Sequence, residues 1–156
     1  MSYSGTAELN AGRVYALQNT FELNGRISAY PESARGFSAA NCYLLKEGDR
    51  ALLLDTGYTV HEQNILDQLG RLITPATALS LMPLRINELM SVTNAVAIAK
   101  RFNVVECFSP VPAIEDWIEF ETLRGEERNP VLKTTVIGSL SGKGGPRVAL
   151  GPDRTV

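Results

Sequence analysis

Histidine and cysteine, the side chains that hold most zinc and iron sites, are scarce in this chain of 156 residues. There is one histidine, His61, and there are two cysteines, Cys42 and Cys107, which lie far apart in the sequence. A zinc site needs about three or four such ligands close together. Both cysteines stand in apolar, strand-like runs, which favours buried, reduced thiols. From these residues we expect no metal, no cofactor and no catalytic residue.

Two other arrangements contain residue types that could do chemistry. Asp55 and His61 follow the same strand-like run and could form a general-base pair, but no nucleophile in a glycine elbow accompanies them. A solvated histidine at the start of a helix is the simpler interpretation. Residues 138–144 (GSLSGKG) have the composition of a phosphate-binding loop without its spacing, and a strand-like run follows them where a helix start is needed. A flexible hairpin loop is favoured there.

An acidic and aromatic segment at residues 115–121 is a candidate contact surface. It places Trp117 and Phe120 among four acidic residues, and aromatic residues of this kind often anchor protein interfaces. The alternatives are a lid, or a helix that packs the same rings on its own sheet.

The pattern of apolar residues predicts the elements that position these groups. The predicted strands are 12–17, 20–23, 41–45, 50–54, 78–82, 104–108, 133–137 and 147–150, with a polar loop up to Phe37. Thr59 and Glu62 have the spacing of a capping box at the start of a helix, and the apolar stripe of this helix runs over 65–73. A second helix is predicted over about 92–101. The continuous apolar run at 51–54 predicts a strand buried on both faces. This order of elements is typical of an α/β domain with parallel strands.

Composition excludes several classes of function. The net charge is −2, from 15 basic and 17 acidic residues, and the basic residues are scattered, so a nucleic-acid partner is not expected. The longest apolar runs fall far below the roughly 18–20 residues of a membrane span, and residues 1–10 lack a signal-peptide core. We therefore expect a cytoplasmic protein with no membrane partner, and one domain in size.

Several runs occur in the order found in the metallo-β-lactamase superfamily. They are NCYLL at 41–45, GDRALLLDTG at 48–57, the amphipathic helix, and LSLM at 79–82. The chain resembles that superfamily over roughly residues 38–110. The resemblance implies an α/β fold that is the N-terminal half of a metallo-β-lactamase αββα sandwich, with a mixed sheet and helices on one face. It also implies that Asp55 and Gly57 form the strand-end turn that braces the metal-site loops. We accordingly predict that residues 1–156 form a single truncated metallo-β-lactamase-like domain.

The metal motif of that superfamily, His-x-His-x-Asp-His, is degenerate here. With Asn94 matched to an asparagine common in relatives, the ligand positions fall on Ile86, Glu88, Met90 and Ser91. Apolar side chains offer nothing to a hard cation, so Glu88 is the only ligand-type residue at a motif position, and Ser91 and Asn94 complete the possible site. Glutamate at the second position resembles the di-iron, oxygen-reducing branch of the superfamily.

Two functions fit these patterns. The first is a degenerate, hydrolase-like protein that is non-catalytic alone and acts through self-association or through pairing with a complementary half-domain chain. The alternative is a subunit or fragment of a di-iron or zinc metallo-hydrolase or oxidoreductase whose metal ligands lie outside this chain. An experimental or frameshifted fragment stays open as well.

Association is expected because half a sandwich leaves one sheet face without its partner layer. We predict that the chain is a homo-oligomer or has a complementary second chain. Alternate members of one group of strand residues should point to the uncovered face: Leu44, Leu52, Leu54, Leu79, Leu81 and Val105.

Overall fold

The computed structural model describes residues 3–25, 30–85 and 94–109, and the backbone alone at 134–136. In these ranges two helices, α1 (Glu62–Leu72) and α2 (Asn94–Arg101), accompany one mixed sheet, and a 3-10 turn at Thr59–His61 precedes α1. The strands are β1 Ser4–Asn10, β2 Val14–Leu23, β3 Gly36–Ala39, β4 Cys42–Glu47, β5 Arg50–Leu54, β6 Ala78–Met82, β7 Val104–Ser109 and β8 Thr134–Val136.

The sheet changes from antiparallel to parallel at β5. The strand order is β1-β2-β4-β5-β6-β7-β8, and β3 pairs with the last residues of β2. All pairs up to β4-β5 are antiparallel, whereas β5-β6, β6-β7 and β7-β8 are parallel. Parallel neighbours need a crossover connection, and α1 and α2 lie in the connections before β6 and β7. The predicted α/β architecture with a mixed sheet is confirmed.

Both helices pack on one face of the sheet. Because side chains alternate along a strand, the cross-strand register places one set of buried residues on this face: Leu17, Cys42, Leu44, Ala51, Leu53, Leu79, Leu81 and Cys107. The apolar stripe of α1, with Ile65 and Leu69 fully buried, and Ala95 and Ile98 of α2 complete this core. The helical stripes that the sequence predicted therefore face the sheet.

Of the six strand residues from which we expected alternate members to point to the other face, three point to the helices instead. Leu44, Leu79 and Leu81 lie on the helix-covered face and are fully buried. Leu52 alternates to the second face, yet it is only 6% exposed, so part of that face is covered. Leu54 on the same face is partly exposed, and Val105, at a register shift between β6 and β7, is 46% exposed.

The N-terminal elements also differ from the prediction. Strand β1 is long but largely exposed, so it has no apolar alternation by which a sequence pattern could reveal it. Strand β2 runs without a break through Gln18 and Asn19, and β3 lies where a loop was expected. The predicted capping box is wrong, because Thr59 begins the 3-10 turn and His61 is the N-cap of α1 without a side-chain cap bond.

Candidate functional site

The turn after β5 lies at the carboxyl end of the parallel strands. Asp55 has a positive φ of 64°, a conformation that aspartate tolerates when its side chain bonds locally. Its Oδ1 accepts hydrogen bonds from the backbone amides of Thr56 at 2.7 Å and Gly57 at 3.2 Å. Its own amide donates to the Met82 carbonyl at 2.8 Å, which ties the ends of β5 and β6 together. These bonds form the strand-end turn that the resemblance implied at Asp55 and Gly57.

Gly57 allows α1 to approach this turn. Its φ is +70°, and a Cβ placed on it would clash with the Cδ1 atom of Ile65 and lie 3.1 Å from the Cys42 Sγ. Ile65 and Cys42 are both fully buried. The glycine is therefore required both by the backbone conformation and by the close packing around it.

Arg85 brings a positive charge to the turn. Its Nε lies 2.6 Å from Oδ2 of the buried Asp55, and its guanidinium lies over the Tyr58 ring, 4.5 Å from the centroid. Burial acts to lower the pKa of Arg85, but attraction to Asp55 outweighs it and raises the pKa above its ordinary value. The sequence did not indicate this residue, which follows Pro83 in an irregular link. In the structure, the parallel register of Leu54 with Met82 brings an arginine just beyond β6 within reach of Asp55.

Asn94 joins the start of α2 to the same turn. It is fully buried, and its Nδ2 donates to the carbonyls of Thr56 at 2.9 Å and Tyr58 at 3.0 Å. The structure thus brings together Asp55, Gly57 and Asn94 of the residues named from the sequence. Four others lie outside the described residues: Glu88, Ser91, Trp117 and Phe120.

His61 is buried, and the expectation of a solvated histidine is wrong. The 3-10 turn directs its side chain inward, where it is 5% exposed and its Nε2 donates to the Thr20 carbonyl at 3.1 Å. The ring also lies 6.3 Å from that of Phe21. No hydrogen bond joins His61 to Asp55 in the described structure, because the carboxylate is engaged by the turn and by Arg85. The alternative of a general-base pair is therefore not supported.

The pH dependence of stability should reveal this burial. Burial lowers the pKa of His61 below 6.5, and the charge of Arg85 lowers it further, against the opposing effect of the Thr20 carbonyl. The unfolded chain then binds the proton more readily, so His61 reduces stability as the pH falls below about 6.5. We expect the unfolding free energy of the parent chain to fall more steeply between about pH 7 and 5 than that of His61→Gln. Parallel curves for the two proteins would contradict this.

Zinc or iron, which the resemblance to the metallo-β-lactamase superfamily implies, does not fit the donors that the structure describes. No group of three or more His, Cys, Asp or Glu residues is arranged to hold a metal in those ranges. Burial, aided by the charge of Asp55, raises the pKa of the Cys42 thiol to about 12 despite the opposing effect of Arg85, and the thiolate is the form that binds metals. His61 and Asp55 are held by internal hydrogen bonds. No chemical step is therefore assigned to a metal here.

Comparison with solved structures identifies the fold. The chain is similar to a variant of the flavo di-iron protein from Thermotoga maritima, with 18% identity and a TM-score of 0.67, over 97% of this chain and 35% of that one. It is similar to a fragment of a putative diflavin flavoprotein from Nostoc sp., with 13% identity and a TM-score of 0.67, over 99% of this chain and 56% of that fragment. It is also similar to rubredoxin:oxygen oxidoreductase from Desulfovibrio gigas, with 16% identity and a TM-score of 0.58, over 83% of this chain and 31% of that one.

These likenesses show that the chain has part of the metallo-β-lactamase fold that forms the core of flavodiiron proteins. The chain spans about a third of the length of the Thermotoga protein. No protein-family model and no curated protein sequence matches it. Among the described helices, none combines the length and the apolar character that crossing a membrane requires.

Proposed function

We propose that this chain is a non-catalytic metallo-β-lactamase-fold module that has no metal centre of its own and acts by association. The observation that supports this most directly is the state of the polar residues at the carboxyl edge of the sheet. Asp55 is bound by Thr56, Gly57 and Arg85, and His61 is bound by Thr20. These contacts hold both side chains within the fold.

The sequence of the degenerate motif supports the same proposal. Ile86, Met90 and Ser91 stand where the superfamily has ligands, and Glu88 alone could coordinate a cation. One carboxylate cannot hold a two-metal centre, which needs several ligands around each ion.

Association is proposed because the second face of the sheet keeps apolar surface. Tyr43 on this face is 38% exposed, and Leu45 and Leu54 beside it are partly exposed. Leu52 and Met82 are already buried there, so the partner would cover the β4 and β5 side of this face. A second copy related by a two-fold axis is the commonest symmetric solution, and a complementary half-domain chain is the other.

One experiment tests both parts. The purified chain is supplemented with Fe²⁺ or Zn²⁺ and dialysed, and metal content and light-scattering mass are measured on the same peak. We expect well under one metal per chain and a mass above the 17.0 kDa of one chain. A tightly held metal at one or more per chain would refute the absence of a centre. A stable species of 17.0 kDa at micromolar concentration would refute association.

The second candidate function is a part of a di-iron oxidoreductase. It is favoured by the shared fold with the flavodiiron proteins and by Glu88, the residue type of the di-iron branch at that position. All other ligands would then come from outside this chain. Iron retained only after co-purification with a second polypeptide or a longer gene product would favour this candidate over the first.

A further inference from the structure

The turn after β5 contains a buried carboxylate whose charge is balanced from within the chain. The side chains of Asp55 and Arg85 are 8% and 25% exposed, and the Oδ2–Nε distance is 2.6 Å. The other carboxylate oxygen accepts the two amides of the turn. The guanidinium is therefore the counter-charge that lies against this buried carboxylate.

We propose that the Arg85 guanidinium is the fixed cation that organises the carboxyl edge of β5 and β6, in place of the metal that the resemblance to the metallo-β-lactamase superfamily implies. Arg85 directly precedes Ile86, the residue matched to the first ligand of the metal motif. Its charge therefore stands next in the sequence to the run that is matched to this motif. Like charges repel strongly where water is excluded, so the same guanidinium disfavours a divalent ion close to Asp55.

The chemistry of arginine suits this role. A guanidinium stays protonated at every physiological pH, donates from a rigid fork, and stacks on aromatic rings. Here its Nε forms an ion pair with Asp55 at 2.6 Å, and the guanidinium lies 4.5 Å over the Tyr58 ring. The Tyr58 carbonyl in turn accepts from Asn94 at the start of α2. One cation thereby connects the ends of β5 and β6 with the beginning of α2.

The inference is separable from the proposed function. Metal analysis tests whether the chain has a centre of its own, whereas the experiment below tests which group holds the turn. A metal bound elsewhere in the chain would leave the role of Arg85 intact. A metal-free chain whose melting temperature does not depend on Arg85 would refute this inference and leave the proposed function standing.

The test is a double-mutant cycle read by melting temperature, with Arg85→Met, Asp55→Asn and the double variant. Asparagine keeps the oxygen that accepts the turn amides and tolerates the positive φ. Arg85→Met should lower the melting temperature by about 6–20 °C, because it leaves a buried carboxylate unpaired. The double variant should melt higher than Arg85→Met, since it removes the unpaired charge. The parent chain should melt at the same temperature with and without EDTA.

Arg101→Met is the matched control, because Arg101 forms an exposed pair with Asp67, Nη1 to Oδ1 3.3 Å, with both side chains nearly half exposed. It should lower the melting temperature by no more than about 4 °C. If Arg85→Met does not fold, a folded double variant still supports the inference. The inference is overturned if the double variant melts no higher than Arg85→Met or also fails to fold. It is also overturned if Arg85→Met and Arg101→Met lower the melting temperature equally, or if EDTA lowers the melting temperature of the parent.

Discussion

Replacing Gln68 by alanine should destabilise the chain by about 2–4 kcal/mol, because the side chain satisfies several buried polar groups at once. Gln68 is 2% exposed on α1. Its Nε2 lies within hydrogen-bond distance of the carbonyls of Gly5 (2.7 Å) and Gln18 (3.1 Å) and of the Ser4 Oγ (3.1 Å), and its Oε1 accepts from Asn19 at 3.1 Å. These bonds fasten α1 to the β1–β2 hairpin, and alanine leaves their partners without a donor or an acceptor.

A glutamine on the same helix provides the control. Gln63 is exposed and bonds only to Asp67 at 2.9 Å, so Gln63→Ala should change the unfolding free energy by less than about 0.5 kcal/mol. Gln68→Leu keeps most of the volume and should lose nearly as much as Gln68→Ala, because the polar bonds and not the packing are removed. Urea denaturation measures all three. Equal midpoints for the Gln63 and Gln68 variants would show that the network does not hold the hairpin.

Replacing Gly57 by alanine should cost about 2–4 kcal/mol, for two reasons that add. The backbone φ of +70° is strained for alanine. The added methyl also meets the Ile65 side chain and lies 3.1 Å from the Cys42 Sγ, and forcing an atom into a packed core typically costs about 1–3 kcal/mol. Either α1 or the turn after β5 must shift to make room.

Two glycines separate these causes. Gly48 has a φ of +59° with nothing within 4 Å of an added Cβ, so Gly48→Ala reports backbone strain alone. Gly70 lies inside α1, where the nearest atom to an added Cβ is an Arg101 nitrogen at 3.6 Å. Alanine there should stabilise by about 0.5–1 kcal/mol. If Gly57→Ala lowers the unfolding free energy no more than Gly48→Ala does, the close approach of α1 does not add to the cost at Gly57.

The parallel half of the fold was predictable, because its signals are local and strong. The run RALLL and the stripe of α1 each bury a face by themselves, and β5, β6 and α1 have nearly the predicted bounds. The edge strand β1 was not predictable, since it is held mainly by backbone bonds to β2 and by the side chain of Gln68. A buried glutamine inside an apolar stripe gives no sign in the sequence of which strand it will reach.

The candidate site was predictable only where a residue's role is local. Asp55 and Gly57 act through the turn that they themselves form, and their types indicate it. Arg85 and His61 act across long separations, on Asp55 and on the Thr20 carbonyl. An arginine in a loop and a histidine at a helix start are usually solvated, and only the three-dimensional meeting of β2, β5 and β6 reverses that expectation.

The change of strand direction at β5 also separates strand pairs that can form locally from pairs that need a long connection. The antiparallel pairs β1-β2 and β4-β5 are joined by short turns, so each can close locally at a small cost in loop entropy. The pairing of β5 with β6 must await the whole crossover through α1, which makes it a non-local and slower event. α1 takes part in both, because its apolar stripe packs on the parallel strands while Gln68 bonds to the hairpin of β1 and β2. The helix therefore links the locally paired strands β1 and β2 to the parallel pair β5 and β6, which forms over a longer separation in sequence.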